Sequence, residues 1–248
     1  MSSDEVLNVA AYRFVPLADL PSLRERLLAA AQAADLKGTV LLAPEGINLF
    51  LAGAEAALRG FLAALAADPR FDGMEVKESR SPTRPFRRLK VKIKREIIRM
   101  DHPALQPAQG RAPAVDAATL ARWLDAGVDD AGRPVRLLDT RNAFEVDHGA
   151  FDAALDWRLN RFTEFPAQLR QHADALRDVT VVSYCTGGIR CEKAALLMRE
   201  LGLEHSYQLD GGILKYFETV GRRHYHGGCF VFDQREVLDD DLRPTAPR

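Results

Sequence analysis

The sequence predicts an α/β protein of two units in tandem, a βαββαβ sandwich followed by a parallel α/β sheet. Three observations carry this. Two Ala- and Leu-rich helical segments alternate with short strand-like runs up to Met100; a proline-bearing, weakly hydrophobic stretch from Asp101 to Pro113 then breaks the pattern; beyond it strands and helices alternate singly. A chain of 248 residues exceeds the usual single-domain size, and an apolar fraction of 47% is enough for two cores.

In the first unit, Leu7 to Phe14 reads as a strand and Pro16 to Ala34 as a helix, with Asp19 as its cap and Pro21 tolerated in the first turn. Thr39 to Ala43 and Ile47 to Leu51 read as strands paired around Pro44-Glu45-Gly46. Ala54 to Ala67 is a second helix, ended before Asp68-Pro69, and Met74 to Glu78 and Leu89 to Met100 are further strands. This order predicts a ferredoxin-like α+β domain, an antiparallel sheet with both helices on one face. The predicted boundaries are residues 1–103 for this domain, 104–113 for the linker, 114–222 for the second domain and 223–248 for a C-terminal extension.

In the second unit, Asp116 to Ala126 is helical, Val135 to Asp139 a strand, Ala143 to Asp147 a short helix and Val179 to Tyr184 a buried strand. Arg190 to Leu201 is a helix, and Ser206 to Leu209 is a strand leading to Gly211-Gly212. Singly alternating elements imply a parallel sheet, whose functional groups gather beyond the carboxyl ends of the strands. Asp139 and Cys185 both stand at such ends.

The chemistry centres on Cys185-Thr186-Gly187-Gly188-Ile189-Arg190-Cys191, where an apolar strand stops at a cysteine and a glycine-bearing loop enters a helix. Loop N–H groups and the positive end of the helix dipole favour thiolate, the nucleophilic form, and Arg190 adds a full positive charge. Gly187 and Gly188 permit the positive φ that turns successive N–H groups inward. Cys185 is the expected nucleophile and Arg190 its electrostatic partner. Cys191 has two readings, a thiol that resets oxidised Cys185 or a residue that starts the helix facing the core. Asp139, Arg141 and Glu145 are expected to brace the loop through buried charge pairs.

Composition limits the function classes. A formal net charge of -1 excludes a uniformly basic nucleic-acid binder, so any polyanion site has to be local. Three cysteines, two of them flanking one loop, make a poor disulfide framework and suit a reducing compartment. Met1 to Val9 lacks a basic segment followed by an apolar core, and no apolar run is long enough to span a bilayer, so a cytoplasmic protein with no membrane partner is expected. There is no dinucleotide-binding glycine pattern and no two-His-one-carboxylate grouping, so neither a metal nor an organic cofactor is expected. His224-Tyr225-His226 with Cys229 has ligand-type side chains but no partner cluster.

Basic charge is nevertheless concentrated. Arg80 to Arg99 holds nine Lys or Arg against one Glu. Lys90, Lys92 and Lys94 alternate along one strand, about 6.6 Å apart on one face, a spacing comparable to successive phosphates. Such lysines also keep a sheet edge soluble. RNA is favoured over that reading by Arg80, Arg84, Arg87 and Arg88 beside the strand, with Phe86 available to stack on a base.

Four residues separate Cys185 from Arg190, one fewer than in cysteine-dependent phosphatases. With Asp139-Thr140-Arg141-Asn142-Ala143-Phe144-Glu145, the loop resembles the rhodanese domain over roughly residues 113 to 221. Six patches in order extend the likeness across nearly the whole chain: Leu42 to Asn48, Asp139 to Asn142, Phe162 to Pro166, the doubled-cysteine loop, Gly211 to Tyr216 and Cys229 to Asp233. Together they resemble the oxygen-dependent tRNA uridine hydroxylases, which join a ferredoxin-like domain to a rhodanese domain. The resemblance implies hydroxylation at C5 of the wobble uridine, with tRNA bound at its anticodon region and molecular oxygen as co-substrate. The loop on its own also fits a sulfurtransferase carrying a persulfide on Cys185, which leaves the first domain and its basic strand without a role.

Overall fold

The computed structural model describes residues 5–245, so residues 1–4 of the N-terminal stretch read above, and 246–248, lie outside it. The chain forms two compact units: one reaches Ile98 and also takes in Phe232–Arg235, and the other holds Arg99–Val231 and the chain from Glu236 onward.

The first unit is built from β1 (Val6–Phe14), α1 (Leu20–Ala33), β2 (Lys37–Ala43), β3 (Gly46–Gly53), α2 (Glu55–Ala66), β4 (Val76–Ser81) and β5 (Leu89–Ile93). Its sheet order is β4-β1-β3-β2-β5. Period-two alternation in β1 sends Leu7, Val9 and Ala11 into the core, where they meet Leu23 and Leu27 of α1 and Leu58, Phe61 and Leu65 of α2. β2 and β3 form a hairpin in which Ala43 faces Gly46. A side chain at Gly46 would place its Cβ 2.0 Å from the Arg13 carbonyl oxygen, so only glycine fits there.

The structure corrects three expectations in this unit. The sheet is not wholly antiparallel, because β5 runs parallel to β2 at the edge. The last strand stops at Ile93 and not at Met100. β2 turns away after Ala43, the Lys94 N–H makes a last bond to the Leu42 carbonyl at 2.7 Å, and among the described residues no partner strand lies beyond. The Ile97 backbone is held by side chains instead: its N–H donates to Glu45 Oε1 at 2.7 Å, and its carbonyl accepts from Asn48 Nδ2 at 3.3 Å. Asp19 precedes α1 without capping it, because its carboxylate is engaged by Arg70. Pro21 does sit in the first turn.

The second unit contains β6 (Ala114–Val115), α3 (Ala117–Ala126), β7 (Val135–Asp139), α4 (Ala143–Val146), β8 (Gly149–Phe151), β9 (Leu155–Asp156), α5 (Phe165–His172), β10 (Thr180–Tyr184), α6 (Ile189–Glu200), β11 (Ser206–Leu209) and α7 (Gly212–Val220). The sheet β6-β11-β10-β7-β9 is parallel throughout. Val182 and Tyr184 join the apolar cluster formed with α3 and α7, so Val181 and Ser183 point to the opposite face, the one against which α6 packs. Asp116 caps α3, its carboxylate accepting from the Thr119 N–H at 2.9 Å.

The described part of residues 223–248 is built into this unit, apart from Phe232–Arg235. β12 (Tyr225–Gly227) pairs with β8, β13 (Cys229–Phe230) pairs with β14 (Val237–Leu238), and Tyr225, Cys229, Val231, Leu238 and Leu242 enter the core cluster.

Candidate active site

Strand β10 ends at Tyr184, and Cys185 opens the loop into α6. Gly188 takes the left-handed conformation (φ 97°) that starts the helix, and its N–H donates to Cys185 Sγ at 3.1 Å. Gly187 does not adopt positive φ, so only one of the paired glycines turns the chain; a Cβ at Gly187 would meet open space.

From behind, α7 holds the loop. The Ile213 and Leu214 N–H groups donate to the carbonyls of Cys185 and Thr186 at 3.0 and 3.1 Å. Gly212 (φ 67°) is pressed against the same segment, and a Cβ there would lie 2.5 Å from the Cys185 carbonyl oxygen. Gly212, in one of the six patches that carry the family likeness, therefore helps to build the site. The Thr186 hydroxyl donates to the Phe230 carbonyl at 3.2 Å, and Ile189 is buried as the first residue of α6.

The charged residues are spent on one another. Arg190 donates both terminal nitrogens to Glu145, at 2.6 and 2.7 Å, with both side chains buried. Glu145 Oε2 also accepts the Asn142 N–H at 3.0 Å, which ties α4 to the loop. Arg141, fully buried, donates Nε and Nη2 to Asp139 and Nη2 to the Gly149 carbonyl at 2.7 Å. Arg190 thus acts on the thiol through its charge, and its guanidinium edge is already committed to Glu145.

Three buried cysteines show what the loop does. Burial alone pushes the Cys185 thiol up, but the Cys191 thiol, the charge of Arg190 and the N–H groups of Arg190 and Cys191 outweigh it, bringing the pKa down to about 5. Cys191 moves the other way, raised by burial and by the neighbouring Cys185 thiolate, which accepts its proton in a hydrogen bond. The Thr140 hydroxyl lies 3.9 Å from Cys191 Sγ. Cys229 is pushed up to about 12 by burial. A thiolate therefore forms at one position, where α6 begins.

The basic residues do not form one patch. Arg80 lies on β4, at the opposite edge of the sheet from β5, about 19 Å away at four strand spacings, and is ion-paired to Glu55 at 2.7 Å. Arg84 is paired with Asp35 at 2.7 Å, and Phe86 is half-buried. Arg87, Arg88, Lys90, Lys92 and Lys94 are exposed in or beside β5, with Val91 buried between Lys90 and Lys92. His224 and His226 turn to Asp125 and Asp152, while Cys229 lies in the core. Among the described residues no group of three or more His, Cys, Asp or Glu is placed to hold a metal.

An aromatic group beside the loop carried no signal in the sequence. Phe144 on α4 is 45% exposed and meets the Phe230 ring edge to face at 5.1 Å, while His148 stacks on Phe230 at 5.4 Å.

Residues 6–97 match the UPF0176 acylphosphatase like domain, and residues 118–219 match the rhodanese-like domain. A tRNA uridine(34) hydroxylase of Bordetella petrii is 66% identical over 241 residues, covering 97% of this chain and 96% of that protein. Proteins of the same description from Variovorax paradoxus and Ralstonia nicotianae are 64% and 56% identical, each over 98% of this chain and over 92% and 86% of their own lengths. The chain belongs to the tRNA uridine(34) hydroxylase family.

Proposed function

We propose that this protein hydroxylates C5 of the wobble uridine in the anticodon of tRNA, taking the oxygen atom from O2 and using Cys185 as nucleophile. The observation that carries this reading is the Cys185 sulfur, buried at the start of α6 and accepting the Gly188 N–H at 3.1 Å, in a chain of this family.

C6 of uracil is the electrophilic end of a conjugated carbonyl system. When the thiolate forms an Sγ–C6 bond, the C5–C6 π pair moves onto C5, which then reacts with O2. One oxygen atom stays on C5 and the other leaves as water, consuming two electrons and two protons from a reductant of the thiol class. Loss of the C5 proton and expulsion of the thiolate restore the ring double bond. Cys191, in hydrogen-bond contact with Cys185, is the resident thiol placed to form a disulfide with it and so take part in the reductive step. Because Cys185 has 0% exposure, the loop has to yield before a base reaches the sulfur, and the base has to leave its stack, as an unpaired anticodon nucleotide does readily.

Arg87, Arg88, Lys90, Lys92 and Lys94 supply sequence-independent contacts to the tRNA backbone. The cytoplasm, where free thiols persist, is the compartment that fits this chemistry.

Nucleoside mass spectrometry of tRNA incubated with the purified protein and ¹⁸O2 tests the reading. Wild-type protein yields 5-hydroxyuridine carrying ¹⁸O, and Cys185→Ser yields none. Hydroxylation by Cys185→Ser at the wild-type rate refutes the nucleophile, and a thiolated nucleoside in place of the hydroxylated one refutes the reaction.

A further inference from the structure

We infer that Arg161, with the Asn160 amide beside it, binds a backbone phosphate of the RNA next to the reacting uridine. This inference rests on the functional reading above and adds a phosphate contact within the rhodanese unit.

Strand register places the pair at the active end of the sheet. Tyr184, Asp139 and Asp156 lie in one row across β10, β7 and β9, and all three strands run parallel. The chain therefore leaves β9 at the same end as Cys185 leaves β10, two strand spacings or about 10 Å away. The Ala143 N–H donates to the Leu159 carbonyl at 2.7 Å, which joins this loop to the start of α4, the helix whose Glu145 holds Arg190.

Around the pair the backbone is tied down. The Arg158 N–H donates to Asp156 Oδ1 at 2.7 Å and its guanidinium to Asp147 at 2.6 Å; the Asn160 N–H donates to Glu164 Oε2 at 2.9 Å. Leu159 and Phe162 are buried on either side, while Asn160 and Arg161 between them are exposed. Of the arginines that follow the strand ends, Arg141, Arg158 and Arg190 each grip a carboxylate. The Arg161 guanidinium and the Asn160 side-chain amide have no hydrogen-bond or ion-pair partner among the described residues. A planar fork of donors with full positive charge, and a second amide donor next to it, match the oxygens of a phosphate. A fixed backbone lowers the cost of ordering them on a ligand. The substrate class supplies that phosphate on either side of the target nucleotide. The contact orients the strand over the cysteine loop and reads no base.

The test uses an anticodon stem-loop in which the phosphates on either side of the target uridine are replaced, one at a time, by neutral methylphosphonates; binding, 5-hydroxyuridine formation and melting temperature are followed. The wild type loses roughly 10-fold in affinity at one of these positions. Arg161→Gln loses as much on the unmodified stem-loop and nothing further at that position, with its melting temperature and Cys185 titration midpoint unchanged. Arg161→Lys, which keeps the charge without the fork, and Asn160→Ala fall between the two. If the wild type binds and hydroxylates the stem-loop while Arg161→Gln binds it equally well, or responds to each methylphosphonate as the wild type does, Arg161 is a solvated surface charge: the phosphate contact is overturned and the functional reading stands. A wild type that neither binds nor hydroxylates the stem-loop overturns both.

Discussion

The cysteine loop and the edge strand β5 are both rich in positive charge, yet they hold it in opposite ways. At the loop, Arg190 and Arg141 are buried and each is locked to a carboxylate, Glu145 or Asp139. Along β5, Lys90 and Lys92 are exposed on one face while Val91 anchors the other face in the core, and Lys94 is exposed just beyond the strand. Fixed, desolvated charge sets the protonation state of one sulfur; mobile, hydrated charge attracts a polyanion and changes nothing chemically. On the proposed function, this difference would separate the catalytic task from the binding task.

Arg190→Met breaks the comparison most severely. It leaves Glu145 buried without its partner, at a cost of about 3–5 kcal/mol in denaturant unfolding. It also removes the charge that stabilises the thiolate, so the Cys185 pKa rises and activity at neutral pH falls. Gly212→Ala comes next. Its φ of 67° and the Cβ position 2.5 Å from the Cys185 carbonyl force the loop to shift, costing about 1–3 kcal/mol and a larger fraction of the turnover rate. Lys90, Lys92 and Lys94 changed together to Gln leave the Cys185 pKa and the turnover of saturated enzyme unchanged; the salt dependence of tRNA binding falls by about 2 in the slope of log K against log salt. An unchanged slope returns these lysines to the role of keeping the edge soluble. Arg80→Gln has the smallest effect on binding, because Arg80 sits at the far edge of the sheet paired to Glu55.

What the sequence made legible follows the same division. The strand, cysteine, glycine and helix of the active loop are contiguous, so their order alone implied N–H groups gathered at one sulfur, and Gly188 and Arg190 lie where that logic puts them. Contacts that join distant positions were not legible. Gly212 supports Cys185, and Phe230 meets Phe144, only because α7 and β13 return to the loop. Nor did the sequence show which of several nearby partners a charge would choose: Asp19 took Arg70 in place of a helix N-terminus, and Arg80 and Arg84 took Glu55 and Asp35. The apolar residues Ile93, Ile97 and Ile98 continued a strand-like pattern past β5, but a strand needs a neighbour, and β2 had already turned.

The central claim is that the loop makes Cys185 an anion at neutral pH despite complete burial. Thiolate absorbance near 240 nm, titrated from pH 4 to 10 and taken as the difference between the wild type and Cys185→Ser, measures this directly. A depressed thiol stabilises the fold fully above the ordinary thiol range of about 8.5, and that contribution is lost as pH falls through the folded value. The stability of the wild type relative to Cys185→Ser should therefore rise across the same window. The account predicts a spectroscopic midpoint at about 5; a midpoint at or above the ordinary thiol range would contradict it.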